Sequence, residues 1–396
     1  MALPLEGVVV ADLTQNVAGP FCTQVLGDMG ADVIKIERPG RGDDARAWAP
    51  PWWGDQSATF LAFNRNKRSL ALDLKTAAGR SVLKRLAARV DVFVQSLSAE
   101  ATRDLGVDFA SASAMNSRLV YCAITAFGTR GPLRDMPGYD PMMQAYAGLM
   151  SVNGHPGQEP VRVGTSIVDM GTGMWAALGI TAALQERERT GRAVEVTTSL
   201  FETTLMWVSY HAMGYLASGE TPVPQGSGTA MIAPYQAFPT ADGYVMVAAP
   251  SDALFAKLVK ALEVPSLGTD ARFADNPSRV TNRGDLVEAI SAVTRARKSA
   301  DLIETLRRHD VPCSPILTID RVLQEPQTRE SEMLLRPPDP RVPDFTCVGL
   351  PIRWDGRRPG LRREPPRLGE HSEDVLTWLG YTRDDVRALH GEGVIG

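Results

Sequence analysis

The sequence predicts an α/β protein built on a Rossmann-like parallel sheet. A continuous apolar run at residues 7–13 is typical of a strand that is buried on both faces of such a sheet. Pro20 suits the first turn of a helix that continues to about Gly30, and a second apolar strand follows at residues 31–37. Strand, helix and strand in this order form a βαβ unit, the building block of parallel sheets.

Further strands and helices alternate along the first half of the chain. The strands are predicted at residues 70–74, 90–95, 119–124 and 194–198. Small and apolar residues from Gly171 to Leu184 predict a helix that is buried almost all round and that is too short to span a bilayer. This alternation supports the α/β class.

The chain changes character at Glu220, where a stretch rich in proline and glycine begins. Beyond it lies a β-rich segment at residues 235–249, followed by helical segments. A length of 396 residues is typical of two or three domains. We therefore predict that residues 1–220 form most of a large Rossmann-like domain. Residues 225–320 would form a small α+β domain, and residues 321–396 would return to the large one.

Composition and charge narrow the classes of function. A net charge of −4 gives no reason to expect nucleic acid or a membrane surface as a partner. The four cysteines form no CxxC pair and the N-terminus lacks a signal-type apolar core, so we expect a reduced, cytoplasmic protein. The five histidines lack metal-ligand spacing, so no metal site is predicted. Any catalysis should then depend on carboxylates, hydroxyls and backbone groups.

Asp169 is the first candidate for a catalytic carboxylate. It follows the strand-like segment 166–168 and precedes the apolar helix, whose dipole should keep it ionised at neutral pH. An Asp in this place is often only a helix N-cap, and this alternative stays open. Gly171 and Gly173 favour a functional role, because they remove side chains beside the carboxylate and leave room for another molecule.

A dense basic segment at residues 63–69 precedes the strand at residues 70–74. It is either a solvated loop, as most charge runs are, or a phosphate site at the edge of an α/β sheet. Arg38 is another cation directly after a predicted strand. Together these cations favour a polyphosphate ligand such as coenzyme A.

Short motifs are distributed in a characteristic order over nearly the whole chain. They are Leu5-Glu6-Gly7, Asp12-Leu13-Thr14, Ala18-Gly19-Pro20, residues 30–38, residues 64–69, Pro137-Gly138-Tyr139-Asp140, residues 164–173, residues 311–315 and Leu368-Gly369-Glu370-His371. No single motif is decisive, but their number and order are specific. The chain resembles the class III CoA-transferases, the family that contains formyl-CoA transferase, carnitine CoA-transferase and α-methylacyl-CoA racemase.

The resemblance implies a large Rossmann-type domain built from both chain ends, a small inserted domain and an interlocked homodimer. Asp169 matches the family's nucleophile, which forms an aspartyl anhydride with the acyl group and an aspartyl thioester with CoA. CoA and acyl-CoA would be substrates, with no tightly bound cofactor. By position, the CoA contacts would be Val17, Ala18, Arg38, Leu72, Lys75, Ser96, Leu97, Arg103 and Tyr139. A mobile loop that shields intermediates from water is matched by Gly226, Ser227 and Gly228.

The sequence departs from the family pattern in two loops. Many relatives have Asn-Phe-Arg-Pro-Gly at residues 96–100, and an acidic residue before an arginine where this chain has Arg103-Asp104. Many also have His-Pro at the position of Thr229-Ala230. The second departure indicates that the small-domain loop is specialised for its acceptor.

Three functions are compatible with the resemblance. The first is a CoA-transferase that acts on a small carboxylic acid, which includes dicarboxylic acids. The others are an α-methylacyl-CoA racemase and a CoA-binding protein without activity. Racemases of the family have His where this chain has Tyr139, and an ordinary tyrosine, with a pKa of about 10, is a poor base at neutral pH. Tyr139 therefore favours transfer, while Asp169 argues against an inactive protein. Arg46, Arg130 and Arg162 are candidates for binding the acceptor, and the sequence does not rank them.

Overall fold

The computed structural model describes residues 3–338 and 340–396. Its strands are β1 (Val9–Leu13), β2 (Asp32–Glu37), β3 (Trp52–Trp53), β4 (Gln56–Ser57), β5 (Lys67–Ala71), β6 (Val92–Gln95), β7 (Val120–Thr125), β8 (Val194–Ser199), β9 (Tyr235–Thr240), β10 (Gly243–Ala248), β11 (Cys313–Pro315), β12 (Leu334–Leu335) and β13 (Cys347–Val348). Its helices are α1 (Ala18–Asp28), α2 (Ala58–Phe63), α3 (Ala77–Ala87), α4 (Ala99–Leu105), α5 (Phe109–Met115), α6 (Asp140–Tyr146), α7 (Leu149–Val152), α8 (Ile167–Thr190), α9 (Leu200–Trp207), α10 (Ser209–Ser218), α11 (Asp252–Leu262), α12 (Pro265–Thr269), α13 (Asn276–Thr281), α14 (Arg283–Thr294), α15 (Ser299–Arg308), α16 (Ile319–Val322), α17 (Pro326–Glu330), α18 (Ser372–Trp378) and α19 (Arg383–Gly391). The chain folds into two compact units.

The first unit comprises the chain up to residue 149 together with residues 163–209 and 326–396. Its centre is a six-stranded sheet in the order β5-β2-β1-β6-β7-β8. Every neighbouring pair of strands in this sheet is parallel. The predicted βαβ unit is confirmed, because β1 and β2, which α1 joins, pair in parallel with Val9 opposite Asp32.

Successive residues of the strands face two separate apolar layers. Val10 and Val33 lie in one buried cluster with residues of α1 and α8. Ala11 and Ile34 lie in another with residues of α3, α18 and α19. Helices thus cover both faces of the sheet, as the continuous apolar character of its strands requires.

The order of the strands reverses between β1 and β6. From β1 the chain continues to β2 and β5 on one side, and then to β6, β7 and β8 on the other. In open parallel sheets, ligands bind outside the carboxyl ends of the strands at such a reversal. Val17 follows β1 and Ser96 follows β6, so the sheet places two of the predicted CoA contacts beside this crevice.

Helix α8 differs from its prediction in extent and in burial. It starts at Ile167, so the strand-like interpretation of residues 166–168 is wrong, and it continues to Thr190, where Gly191 ends it in a left-handed conformation. By length and composition alone it is the one helix of the described residues that could cross a membrane. Half of its most apolar 18-residue stretch is buried within the chain, as in the core helix of a folded protein. Met174 and Leu178 of this helix are exposed.

The second unit comprises residues 150–162 and 210–325. An antiparallel sheet in the order β11-β10-β9 packs against helices that include α11, α14 and α15. The side chain of Arg279 is fully buried there. Its guanidinium donates to the carbonyls of Ala233 and Phe273 and pairs with Asp252, so the buried charge is fully satisfied.

Candidate active site

Asp169 is the third residue of α8. The helix is capped by a second carboxylate, that of Asp140, and not by Asp169. One oxygen of the buried Asp140 accepts hydrogen bonds from the backbone N–H groups of Val168 (2.8 Å) and Asp169 (3.2 Å). The other oxygen accepts from Nε2 of Gln144 at 2.6 Å. The N-cap residue Ser166 makes no capping bond with its side chain. The alternative that Asp169 is only an N-cap is therefore wrong, because Asp140 takes the free N–H groups.

The same arrangement changes the charge of Asp169. Burial and the neighbouring negative charge of Asp140 raise the pKa of Asp169 to about 7. Within residues 3–338 and 340–396, no side chain donates a hydrogen bond to its carboxylate to offset these effects. The expectation that Asp169 is fully ionised at neutral pH is wrong, because Asp140 receives the hydrogen bonds and the dipole stabilisation that the prediction gave to Asp169. Near pH 7 the two protonation states are similarly populated.

Gly171 and Gly173 do not leave open space, contrary to the expectation. A Cβ on Gly171 would lie 2.5 Å from a ring carbon of Trp207, and a Cβ on Gly173 would lie 2.5 Å from the carbonyl oxygen of Ala18. Both distances are shorter than any real contact of a Cβ. The two glycines therefore allow α9 and α1 to pack closely on α8, which is a structural role.

This packing determines what Asp169 faces. Residues four apart share one face of a helix, so Asp169 and Gly173 point to the same side of α8. Gly173 lies against the first turn of α1, and Asp169 is one turn nearer the start of α8. Asp169 therefore lies on the side of α8 that packs on α1, whose N-cap residue Val17 makes no side-chain capping bond. Whether Asp169, Val17 and Ala18 form one site stays a prediction.

The other predicted CoA contacts follow the carboxyl ends of neighbouring strands. Arg38 follows β2, Leu72 and Lys75 follow β5, and Ser96 and Leu97 follow β6. The side chains of Lys75, Ser96 and Arg103 are exposed, and Arg103 lies in α4. Leu72 is only 1% exposed, is bridged to Ile395 and donates its backbone N–H to the carbonyl of Glu37. Whether these residues bind CoA stays a prediction.

Arg38 is half exposed and already has partners. Its Nη2 lies 2.7 Å from Oδ1 of Asp44 and 3.1 Å from Oε1 of Gln15. Arg41 approaches the same carboxylate oxygen of Asp44 at 3.1 Å. A phosphate group at Arg38 would compete with Asp44, and at this exposure such an ion pair is weak enough to be exchanged.

The basic segment at residues 63–69 is internal, so its interpretation as a phosphate site is wrong. Arg65 pairs with Asp28 (2.6 Å), Lys67 with Asp12 (3.1 Å), and Arg68 with Asp32. None of the three cations is more than 9% exposed. Their partners lie 36 or more positions earlier in the chain, so no local pattern in the sequence indicates the pairing.

Tyr139 and the candidate acceptor cations lie in different settings. Tyr139 is the N-cap residue of α6, is 57% exposed and directly precedes Asp140. Arg46 binds both oxygens of Glu37, each at 2.7 Å, and stacks on a phenylalanine ring, so its charge is already neutralised. Arg130 is exposed on the first unit, and Arg162 is exposed on the second.

The glycine loop of the second unit is hydrogen-bonded within that unit. Gly226 has a φ of 61° and donates to the carbonyl of Gly154 at 2.8 Å. Oγ of Ser227 accepts from the backbone N–H of Ala237 at 2.9 Å, and Gly228 donates to Gln225 at 3.0 Å. The mobility predicted for this loop stays a prediction.

A parallel α/β unit with two neighbouring carboxylates at the start of a core helix is suited to covalent or acid–base carboxylate chemistry. The family model described as CoA-transferase family III matches residues 5–372, and the chain belongs to that family. It is therefore a transferase, as its sequence motifs predict.

Proteins of known sequence and structure agree with this assignment. The human succinyl-CoA:glutarate CoA-transferase is 35% identical over 99% of this chain and 90% of its own length. The succinate–glutarate CoA-transferase of Agrobacterium fabrum is 34% identical over 95% and 96% of the two chains. The crystal structure of a CAIB/BAIF family protein from Brucella suis is 37% identical, with a TM-score of 0.86 over 96% of this chain and 100% of that one.

Proposed function

We propose that this enzyme moves CoA from a donor such as succinyl-CoA to a small dicarboxylic acid, with Asp169 as the covalent nucleophile. The similar enzymes named for succinyl-CoA include ones named for glutarate and for D-citramalate as the second acid. Another similar enzyme, from Acetobacter aceti, is named for acetyl-CoA and oxalate. Short acids with two carboxylates recur in these names, and this supports the class of acceptor.

In the proposed reaction the acyl groups and CoA are bound in turn to the carboxylate of Asp169. An oxygen of Asp169 attacks the carbonyl carbon of the donor thioester, the C–S bond breaks, and CoA leaves as the thiolate. The thiolate then attacks the aspartyl carbonyl of the anhydride, which releases the donor acid and leaves CoA on Asp169. The acceptor carboxylate displaces CoA to form a second anhydride. The returning thiolate attacks the acceptor carbonyl, so that the new thioester leaves and Asp169 is regenerated.

The observation that carries this proposal is the position of Asp169 in the first turn of α8, on the side that packs on α1 and without hydrogen-bond donors from described side chains. A carboxylate with a pKa of about 7 is a stronger nucleophile than an ordinary aspartate, and much of it is still ionised at neutral pH. The uncapped N–H groups at Val17 and Ala18 are suited to hold a developing negative charge on the reacting carbonyl oxygen.

A homodimer in the cytoplasm completes the proposal. Exposed apolar side chains on α8 and α9, among them Leu178 (60% exposed) and Met206 (56%), support an association between two copies. Sedimentation should then give a dimer. Mixing tagged and untagged protein should give no exchange of subunits if the two chains are interlocked, and rapid exchange would contradict that arrangement.

Chemical trapping tests the covalent step. Protein incubated with succinyl-CoA and then with hydroxylamine or borohydride should carry a modification on the peptide that contains Asp169, visible by mass spectrometry. Asp169→Asn should bind CoA and carry no label. A label on another residue, or transfer by the Asn variant at near the wild-type rate, would refute the nucleophile. Exchange of the α-proton of a 2-methylacyl-CoA with solvent deuterium, without any transfer, would instead establish a racemase.

A further inference from the structure

A cluster of buried charges lies at the second half of β1 and β2, the start of β5 and the loop after β2, and the proposed reaction makes no use of it. Five side chains of this cluster are at most 4% exposed. They are Asp12, Lys35, Glu37, Asp43 and Lys67. Burying charges costs free energy unless each is paired, so a cluster of this kind needs a reason beyond stability.

The pair at the centre of the cluster joins two loops. Nζ of Lys35, in β2, lies 2.8 Å from Oδ2 of Asp43, in the loop after β2, and both side chains are completely buried. The same ammonium donates to the carbonyl of Thr14, in the loop after β1, at 3.1 Å. Burial alone would lower the pKa of Lys35, but its acidic neighbours, chiefly Asp43, raise it above its usual value. The pair is therefore fully charged at neutral pH.

The second carboxylate oxygen of Asp43 also forms a hydrogen bond with the loop after β1. Oδ1 of Asp43 accepts from the backbone N–H of Asn16 at 3.0 Å and from that of Ala45 at 2.9 Å. Asn16 has a φ of 69°, a left-handed conformation that costs free energy for a residue other than glycine. Its bond to Asp43 fixes this conformation immediately before Val17, where the turn into α1 begins.

We propose that Lys35 and Asp43 are positioning residues for coenzyme A: the pair fixes the loop before Val17 relative to the loop that carries Arg38, without touching the ligand. This inference rests on the proposed function, in which both loops bind CoA. An apolar pair of similar volume could stabilise the fold equally well. It could not hold the N–H of Asn16 and the carbonyl of Thr14 at the same time, so the geometry explains why charges are found here.

Charge-neutral variants test the proposal through a split between the kinetic constants. In Asp43→Asn and Lys35→Met we expect the KM for the acyl-CoA to rise about tenfold, which corresponds to about 1.4 kcal/mol of lost binding. The KM for the acceptor acid should stay within about twofold, whereas kcat should fall as well, because the N–H groups of Val17 and Ala18 move with this loop. The double variant should recover thermal stability relative to the single ones, since it leaves no unpaired buried charge, but it should not recover the KM.

A matched ion pair at the other end of α1 provides the control. Arg65 and Asp28 are also buried and lie 2.6 Å apart, but at the end of α1 remote from Val17. Asp28→Asn should lower the melting temperature and leave the KM for acyl-CoA unchanged. If Asp43→Asn and Lys35→Met behave in the same way as Asp28→Asn, the pair is merely structural and the proposal is refuted.

Two substitutions at Asn16 keep the test decisive if the charge variants do not fold. Asn16 is partly exposed, and its replacement removes no side-chain hydrogen bond. Asn16→Gly keeps the N–H donor and the left-handed backbone and should preserve the KM for acyl-CoA. Asn16→Val disfavours that backbone and should raise this KM about tenfold. Equal KM values for both variants would refute the proposal, whereas a wild-type protein that transfers no CoA would refute the proposed function itself.

Discussion

The carboxylate of Asp140 lies 3.2 Å from the backbone nitrogen of Asp169 and accepts its N–H. Asp140 and Asp169 thus have different roles at the start of α8. Asp140 takes the hydrogen bonds of the helix N-terminus, and Asp169 is left without them while it feels the charge of its neighbour. The result is a carboxylate that is reactive and still ionised in part at neutral pH, which is what a carboxylate nucleophile needs.

Asp140→Asn should lower the pKa of Asp169, because it removes a nearby negative charge. The acid limb of the pH profile of kcat/KM should move to lower pH, but only in part, since burial is the larger cause of the raised pKa. The amide would also present its NH2 group to Nε2 of Gln144, and an unsatisfied buried donor costs about 1–3 kcal/mol of stability.

The N-capping aspartate of α5 offers a control for this variant. Asp108 accepts from the backbone N–H of Ser111 at 3.2 Å. Asp108→Asn should keep that cap, because Asn caps about as well as Asp, and should leave the pH profile unchanged. An acid limb that stays in place in Asp140→Asn would show that Asp140 does not influence the titration of Asp169.

The raised pKa of Asp169 has a consequence for stability. A carboxyl group with a pKa near 7 in the folded state and near 3.8 when unfolded binds its proton more tightly in the folded protein. The free energy of unfolding of the wild type therefore falls as the pH rises from about 4 to about 7. Above about pH 7 this group causes no further loss. Asp169→Asn lacks this loss, so its melting temperature should exceed that of the wild type at pH 8. This difference should shrink toward pH 4, and a difference that is independent of pH would contradict the raised pKa.

The fold was largely predictable because its signals are local. Apolar runs of strand length and the proline at the start of α1 specify β1, α1 and β2 within one continuous segment. The motif Pro-Gly-Tyr-Asp at residues 137–140 marked the segment that caps α8, although its role as a cap was not evident. Asp169 stood out in the sequence because a long apolar helix follows it, and its catalytic role stays a prediction.

Pairings across the fold could not be predicted from the sequence. Arg65 looked like a free cation because its partner Asp28 is 37 positions away. Gly173 looked like open space because the carbonyl of Ala18 that fills it comes from another helix. The pKa of Asp169 was misjudged for the same reason, since the neighbour that takes its hydrogen bonds is Asp140, 29 positions earlier. Local patterns specify elements, and only tertiary contacts specify which charges are neutralised.

Arg38→Ala should raise the KM for acyl-CoA more than it lowers kcat, if Arg38 contributes to phosphate binding. Phosphate contacts hold the ligand and do not change at the reacting bond. Arg41→Ala is the matched control, because Arg41 is exposed and pairs with the same carboxylate, that of Asp44, but is not a predicted contact. Equal effects of the two substitutions would indicate a general effect of positive charge and would remove Arg38 from the site.

Gly173→Ala should separate α8 from α1 one helical turn after Asp169. The added methyl group would lie 2.5 Å from the carbonyl oxygen of Ala18 and 3.1 Å from the nitrogen of Cys22, and a backbone cannot move as a flexible side chain does. Overpacking of this kind costs about 1–3 kcal/mol. The shift should also lower kcat, because a displacement of about 1 Å at reacting groups can cost about a hundredfold in rate.

The control for this prediction is Gly284→Ala, another substitution of glycine by alanine within a helix. A Cβ at Gly284, in α14, would meet nothing within 4 Å, so the higher helix propensity of alanine should stabilise the protein by up to about 1 kcal/mol. Thermal unfolding and transfer kinetics of both variants would measure the contrast. A Gly173→Ala protein with wild-type stability and rate would mean that the close contact between α1 and α8 does not position Asp169.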